Sequence, residues 1–264
     1  MSLSLEQKKF WNHHSYVVFR GLFADESDSI SKWIEEIAAW PEDMSKWLSF
    51  YEMDDPTKLS RIENFIPYHT DLGEIINGPK VLAIVEELMG EKPVLYKERI
   101  NFKHSGGGAH AAHQDGVAYE SGDLGEFDQD TTPYISVLIS VDSATKTNGC
   151  FEVVEPWTID KLEILPMERP HAHAPTFSKI AQKVEDDLNW VQLETAPGDV
   201  IFFTERLPHR SKNNRSDKSR RILYGVYNPL KEGDKREKYY ADKRANINDA
   251  RYMVGNPHAP SKIS

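Results

Sequence analysis

Five short segments rich in β-branched and aromatic residues decide the fold class of this chain. They read YISVLISV at residues 134–141, CFEVV at 150–154, WVQLE at 190–194, VIFF at 200–203 and ILYGVY at 222–227. Turn-forming residues separate them, a pattern typical of β-strands. Several short strands with long connections indicate a sandwich or barrel rather than alternating βαβ units.

Helical periodicity is confined to segments outside this strand-rich region. Apolar residues recur at three- and four-residue intervals over 27–40 and 80–89, and residues 5–13 and 232–251 also read as helices, the latter as a surface helix. Residues 16–19 and 93–103 read as extended segments. No repeat or low-complexity linker divides the chain, so we expect a mainly β single domain over residues 1–264 with flanking helices.

Composition limits the classes of function and partner. Of the 264 residues, 39% are hydrophobic and 28% are charged, as in an ordinary globular protein. The net charge of −10 argues against nucleic acid as a main partner. A single cysteine, Cys150, fits a reducing compartment, and no apolar run is long enough to cross a bilayer. We therefore expect a cytoplasmic protein without a membrane partner; the sequence does not indicate an oligomeric state.

The segment HAAHQD at residues 110–115 is the first candidate for metal chemistry. On an extended backbone, positions i and i+2 point to the same side, so His113 and Asp115 can reach one metal ion. A second histidine, His209, follows the turn and apolar strand APGDVIFF at 196–203. Two histidines and a carboxylate form the facial triad of non-haem Fe(II) enzymes, although the same set also describes a hydrolytic zinc site.

Two arginines that follow His209 favour iron over zinc. Arg220 and Arg221 begin the last predicted strand, eleven residues after His209. An arginine that enters the sheet beside the metal suits bidentate recognition of a carboxylate, such as that of 2-oxoglutarate. The alternative is that both arginines neutralise acidic surface. Tyr224 shares a face with Arg220 if the strand is regular.

The extended segment 93–103 carries polar, mostly basic residues on one face, namely Lys97, Arg99, Asn101 and Lys103. This face either binds a small anionic group or belongs to a solvated edge strand, where lysines discourage aggregation. Two further candidates are weaker. His171 and His173 have ligand spacing, but a proline-rich loop or lid is the simpler interpretation, and Cys150 reads as a buried structural thiol.

Five stretches together resemble the phytanoyl-CoA dioxygenase family of Fe(II)/2-oxoglutarate-dependent oxygenases. They are HQD at 113–115, TNGCFEVV at 147–154, APGDVIFF at 196–203, PHRSKNNRS at 208–216 and SRRILYGVYN at 219–228. The resemblance implies a double-stranded β-helix, a cupin-like jelly roll. It also implies that Fe(II) binds His113, Asp115 and His209, and that Arg220, with Arg221 as the alternative, binds 2-oxoglutarate. By the same resemblance Ser211 assists at the 2-oxoglutarate carboxylate, and Arg61 matches a basic residue of the family pattern that also helps there. Arg99 lines the same pocket.

The function that the resemblance implies is an O2-dependent hydroxylation with release of succinate and CO2. The acidic chain has no basic run suited to a CoA carrier, so we expect a small polar metabolite. The specific expectation is 2-aminoethylphosphonate, with basic positions near the phosphonate and Glu98, Tyr119 or Asp142 near the ammonium. The alternatives are a zinc-type hydrolase, a non-catalytic cupin-like metal-binding protein, and a carrier in which the iron site is vestigial.

Overall fold

The computed structural model describes residues 2–118, 132–168, 179–247 and 259–260. In this part of the chain the helices are α1 (Leu5–His14), α2 (Ser27–Ala38), α3 (Thr70–Asn77), α4 (Pro79–Met89), α5 (Gln182–Asp187) and α6 (Arg236–Ala245). Short 3-10 turns span Ile66–Tyr68, Asp115–Ala118 and Leu230–Glu232.

The strands are β1 (Tyr16–Phe19), β2 (Leu48–Tyr51), β3 (Leu59–Glu63), β4 (Pro93–Lys103), β5 (His110–His113), β6 (Ile135–Ser140), β7 (Phe151–Val154), β8 (Met167–Glu168), β9 (Lys179–Ile180), β10 (Trp190–Leu193), β11 (Val200–Thr204), β12 (His209–Ser211), β13 (Arg220–Pro229) and β14 (Ala259–Pro260). Eight of them form a large antiparallel sheet in the order β1-β11-β6-β13-β4-β3-β2-β14. A smaller antiparallel sheet has the order β10-β7-β12-β5, and β8 pairs with β9.

The two sheets pack face to face, and helices cover the outer face of the large sheet. Alternation along β6 shows the division, since Val137 and Ile139 belong to the core under the helices whereas Leu138 belongs to the core between the sheets. On β11 Phe202 faces the helices and Phe203 the smaller sheet. This two-layer arrangement is the expected jelly roll, and it leaves the inner face of the large sheet opposite β12 and β5.

Local sequence signals account for the ends of the flanking helices. At α1, Ser4 accepts a hydrogen bond from the backbone N–H of Gln7, whose side chain accepts one from the Ser4 backbone N–H, a complete capping box. At the end of α4, Gly90 adopts φ of 75°, a left-handed conformation that favours glycine.

The connection between β10 and β11 requires glycine at Gly198. An added Cβ there would lie 2.5 Å from the Phe23 carbonyl carbon, too close for any other residue.

Most predicted elements are confirmed within a few residues, but two interpretations need correction. The basic strand β4 is not an edge strand, because it lies between β13 and β3. The predicted surface helix at 232–251 begins only at Arg236, and it is amphipathic, because it buries Tyr240 and Lys243 while Lys238 and Ala241 stay exposed. Within the described residues, no helix is long and apolar enough to span a membrane.

Candidate active site

Three buried side chains come together between the two sheets. His113 ends β5, Asp115 begins the following 3-10 turn, and His209 begins β12. One nitrogen or oxygen of each lies within 4.8 Å of the others. Pairing of β12 with β5 places His209 directly opposite His113. Strands that are far apart in sequence therefore converge on a pocket for a metal ion.

Both imidazoles are held in one tautomer by the backbone. Nδ1 of His113 lies 2.7 Å from the Ala111 carbonyl oxygen, and Nδ1 of His209 lies 2.9 Å from that of Leu207. Because a carbonyl oxygen only accepts, each Nδ1 carries the proton and donates it. Each Nε2 therefore keeps its lone pair and faces the Asp115 carboxylate, at 3.6 and 3.9 Å from Oδ1. This arrangement orients two neutral imidazoles as metal ligands.

The Asp115 carboxylate is oriented from its other oxygen. The Ser136 hydroxyl on β6 donates to Oδ2 at 3.3 Å, which leaves Oδ1 directed at the two histidines. Burial alone raises the pKa of Asp115, but His209, His113 and Arg99 outweigh it and hold the pKa well below its ordinary value. Burial lowers the pKa of His209 to about 3, so this imidazole is neutral. The three side chains therefore offer one negative charge and two neutral nitrogens.

The route by which His113 and Asp115 meet differs from the prediction. They do not alternate along one extended strand, because β5 ends at His113 and a 3-10 turn begins at Asp115. The intervening Gln114 is fully buried and anchors the turn. Its amide donates to the backbone carbonyl oxygens of Glu163 and Arg206 and accepts from the Leu165 N–H.

The two neighbouring arginines point to opposite faces of β13. Arg220 lies on the same side as Ile222 and Tyr224, which belong to the core between the sheets. Arg221 lies on the helix side, where it donates to both oxygens of Asp142 and contacts Glu35 of α2. Asp142 is thus engaged on the outer face, contrary to the expected role beside a substrate ammonium.

Arg220 is a buried charge without a described counterion. Its side chain is 3% exposed, and its Nε has no hydrogen-bond partner in the described part of the chain. Burial lowers its pKa. A buried guanidinium is costly unless it is paired, so this group fits the carboxylate of a bound cosubstrate.

Lys103 is a neighbour of Arg220 that sequence reasoning did not include among the cosubstrate residues. It pairs with Arg220 across β4 and β13, and its buried ammonium donates to Ser211 Oγ at 2.8 Å and to the Lys212 carbonyl oxygen at 2.6 Å. Burial, followed by the charge of Arg220, lowers its pKa to about 6. Ser211 thus accepts from Lys103, whose cross-strand neighbour is Arg220, and a carboxylate bound here would favour the protonated form of Lys103.

Arg61 and Arg99 line a small, partly open cavity beside the histidines, together with Asn101, His110, His113, Phe151, His209, Arg210, Ser211 and Tyr224. The Arg99 guanidinium lies 4.7 Å from the centre of the Tyr224 ring. Arg61 donates to the Asn101 side chain at 3.2 Å and contacts Glu63 at 3.4 Å. The structure therefore brings both predicted arginines to the pocket that contains the histidines.

Other candidates from the sequence lie elsewhere. Glu98 points away from the pocket and binds Arg236, Tyr240 and the backbone N–H of Ile66. Tyr119, His171 and His173 are outside the described residues. Cys150 is a free thiol that is 1% exposed, which confirms it as a buried residue.

Comparison with known proteins agrees with this geometry. The model of the phytanoyl-CoA dioxygenase family matches residues 11–222. The chain belongs to this family. It is 36% identical to a 2-aminoethylphosphonate dioxygenase from an uncultured bacterium, HF130_AEPn_1, over 90% of this chain and 87% of the relative. It is also 34% identical to a methylphosphonate hydroxylase from Gimesia maris, over 99% and 95% of the respective chains.

Solved structures of other proteins share the fold at low sequence identity. EctD from S. alaskensis, in a crystal structure with 2-oxoglutarate and 5-hydroxyectoine, has a TM-score of 0.69 and 16% identity, over 87% of this chain and 77% of that chain. The same protein with bound Fe gives a TM-score of 0.68 at 17% identity, over 87% and 78%. This likeness supports the double-stranded β-helix expected from the sequence.

Proposed function

We propose that this chain is an Fe(II)- and 2-oxoglutarate-dependent dioxygenase that hydroxylates a C–H bond of a small phosphonate. The observation that carries the proposal is Arg220, a buried guanidinium without a described counterion on the sheet face that leads to His113, Asp115 and His209. A hydrolytic zinc site has no use for such a residue. A cosubstrate that binds the metal at one end needs a cation for the carboxylate at its other end.

The described residues fit both groups. His113, Asp115 and His209 would hold Fe(II), because two neutral imidazoles and one carboxylate on one side leave coordination positions open. Arg220, Lys103 and Ser211 would hold the distal carboxylate of 2-oxoglutarate, and Arg99 and Arg61 lie beside the remaining space. When bound, the iron and 2-oxoglutarate supply the oxidant: O2, 2-oxoglutarate and substrate R–H become R–OH, succinate and CO2.

The chain's own residues contribute orientation and exclusion of water. Ser136 and the two backbone carbonyls fix the ligands before the metal binds, which reduces reorganisation. Phe151 and Phe203 pack against His209, with ring centroids 5.1 Å away in each case. These rings keep the metal face of the pocket dry, which protects a reactive oxidant from side reactions.

The substrate assignment rests on pocket charge together with the two phosphonate-specific relatives. Arg61 and Arg99 give the cavity the positive charge that a phosphonate needs. We propose 2-aminoethylphosphonate as the first candidate. Methylphosphonate is the second candidate. It has no ammonium group, which agrees with the absence of a carboxylate among the described residues that line the cavity.

The test is succinate formation by Fe(II)-loaded protein under air, with 2-aminoethylphosphonate, methylphosphonate or neither compound. We expect one succinate per hydroxylated phosphonate, with the product seen by 31P NMR, and only slow succinate formation without substrate. The matched control is Asp115→Asn, which should abolish both products. Absence of 2-oxoglutarate turnover with every phosphonate would reject the proposal and favour a hydrolase or a metal-binding protein.

A further inference from the structure

Lys97, which the sequence places on the basic face of β4, lies in the same cross-strand row as the metal site. Val226 on β13 pairs with Lys97 on one side and with Ser136 on the other. Neighbouring strands are about 4.8 Å apart, so Lys97 and Ser136 have Cα atoms roughly 10 Å apart. Since Ser136 donates to Asp115, a small molecule beside the metal is within reach of the Lys97 side chain.

Aromatic rings from two elements hold this lysine. Its ammonium lies 5.8 Å from the ring centre of Tyr96 and 5.3 Å from that of Tyr239 on α6. One turn further along α6, Lys243 donates to both oxygens of Glu63 at 2.8 and 2.7 Å. Arg61 contacts the same carboxylate. Glu63 is thereby already shared between two cations.

This wall of the pocket therefore carries more positive than negative charge. The basic residues around Lys97 are Arg61, Arg99 and Lys243, of which Arg61 and Arg99 line the cavity, and the carboxylates that act on Lys97 are Asp115 and Glu63. Burial and the charge of Arg99 lower the pKa of Lys97 to about 7, so a bound anion would favour its protonated form. A wall of this kind is stabilised by a compact anion with more than one negative charge.

The helix that completes this wall lies beyond the part common to the family. The family match ends at residue 222, whereas α6 spans Arg236–Ala245. The similarity to the methylphosphonate hydroxylase, in contrast, covers 99% of this chain. Elements outside the shared domain are suitable places for substrate specificity, since the metal and cosubstrate residues lie inside it.

We propose that Lys97, positioned by Tyr239 of α6, binds the phosphonate group of the substrate and determines the preference for phosphonates over singly charged analogues. This inference rests on the proposed function and goes further by naming the specificity residue. Arg220 and Lys103 hold the cosubstrate at the other end of β4 and β13, six residues along the strand from Lys97. Substrate and cosubstrate therefore bind to two different clusters of positive charge.

The test compares Lys97→Met with the native chain and with Lys238→Met, an exposed lysine of α6 that serves as control. We expect the KM for 2-aminoethylphosphonate or methylphosphonate to rise about 10- to 100-fold in Lys97→Met, the loss typical of one charge-assisted hydrogen bond. The kcat/KM preference for 2-aminoethylphosphonate over its sulfonate analogue taurine should fall at least tenfold. Lys97→Arg should recover part of both losses.

Two measurements separate this inference from the proposed function. Calorimetry under anaerobic conditions should give a 2-oxoglutarate Kd within about threefold of native in Lys97→Met, and circular dichroism should show a native fold. Titration of methylphosphonate into metal-free protein should show binding that Lys97→Met weakens at least tenfold. Unchanged phosphonate binding, or an equal loss of 2-oxoglutarate affinity, overturns the role of Lys97. Failure of native protein to turn over 2-oxoglutarate rejects the proposed function instead.

Discussion

Replacement of Arg220 by methionine should weaken 2-oxoglutarate binding and at the same time stabilise the fold. Methionine has a similar length, but it removes two charge-assisted hydrogen bonds to the cosubstrate, each worth about 1.5–3 kcal/mol. A loss of about 3–6 kcal/mol corresponds to roughly 10²- to 10⁴-fold in Kd. In the ligand-free protein the same change removes a buried charge that has no described counterion.

The stability gain has a definite sign and size. Replacing a poorly compensated buried ion with an apolar side chain stabilises proteins by about 1–4 kcal/mol. For a chain of this length, this gain raises the midpoint of thermal unfolding by at least a few degrees. Activity and stability thus change in opposite directions, which is common where a site keeps a strained group for its ligand.

The neighbouring Arg221 provides the matched control. It faces Asp142 and Glu35 on the helix side, so Arg221→Met should leave the 2-oxoglutarate Kd within about threefold and lower stability by about 1 kcal/mol. The assay is anaerobic calorimetry of 2-oxoglutarate binding to metal-loaded protein, with scanning calorimetry of the ligand-free variants. Equal effects of the two substitutions on Kd, or a lower unfolding midpoint for Arg220→Met, would contradict the assigned geometry.

Three further results are expected. Ser136→Ala should weaken Fe(II) binding about 10-fold, measured by competition with a chelator, because it frees the Asp115 carboxylate to rotate; full affinity would show that the hydroxyl is dispensable. Lys103 has a pKa of about 6 when folded and about 10.4 when unfolded, so the unfolded chain binds more protons between these values. The free energy of unfolding should accordingly rise with pH from 7 to 9, by at most about 1.4 kcal/mol per pH unit from this group. Urea unfolding at several pH values should show a weaker dependence of this free energy on pH in Lys103→Met than in the native chain. Lys243→Met should cost about 3 kcal/mol in urea unfolding, since it removes both hydrogen bonds that this ammonium donates to the buried Glu63 carboxylate; a change below 1 kcal/mol would refute the buried ion pair.

Local patterns were sufficient for the seven predicted strands and for the choice of His113, Asp115 and His209, which the structure brings together. Alternation in YISVLISV gives β6, and the order of motifs around His113, Asp115 and His209 is specific to one family. The same alternation held a signal that went unused. It places Ser136 on the face opposite Val137 and Ile139, where a hydroxyl has a role only if polar partners lie within the sandwich.

Other features required the three-dimensional structure. A shift of one residue exchanges the faces of a strand, so sequence could not decide between Arg220 and Arg221 until the packing of Ile222 and Tyr224 was known. The Lys243–Glu63 pair joins residues 180 positions apart, and no local pattern marks either partner. Glu98 also appeared available in the sequence, yet Arg236 of α6 binds it away from the pocket.

We propose that this chain inserts an oxygen atom from O2 into a phosphonate, with 2-oxoglutarate as the second reductant. The most direct measurement is mass spectrometry of products formed under 18O2 in ordinary water, with 2-aminoethylphosphonate as substrate. We expect one 18O atom in the hydroxylated phosphonate and one in succinate, in equal amounts. Product oxygen derived from water, or a phosphonate product formed without succinate, would contradict it and favour hydrolytic chemistry at the same three ligands.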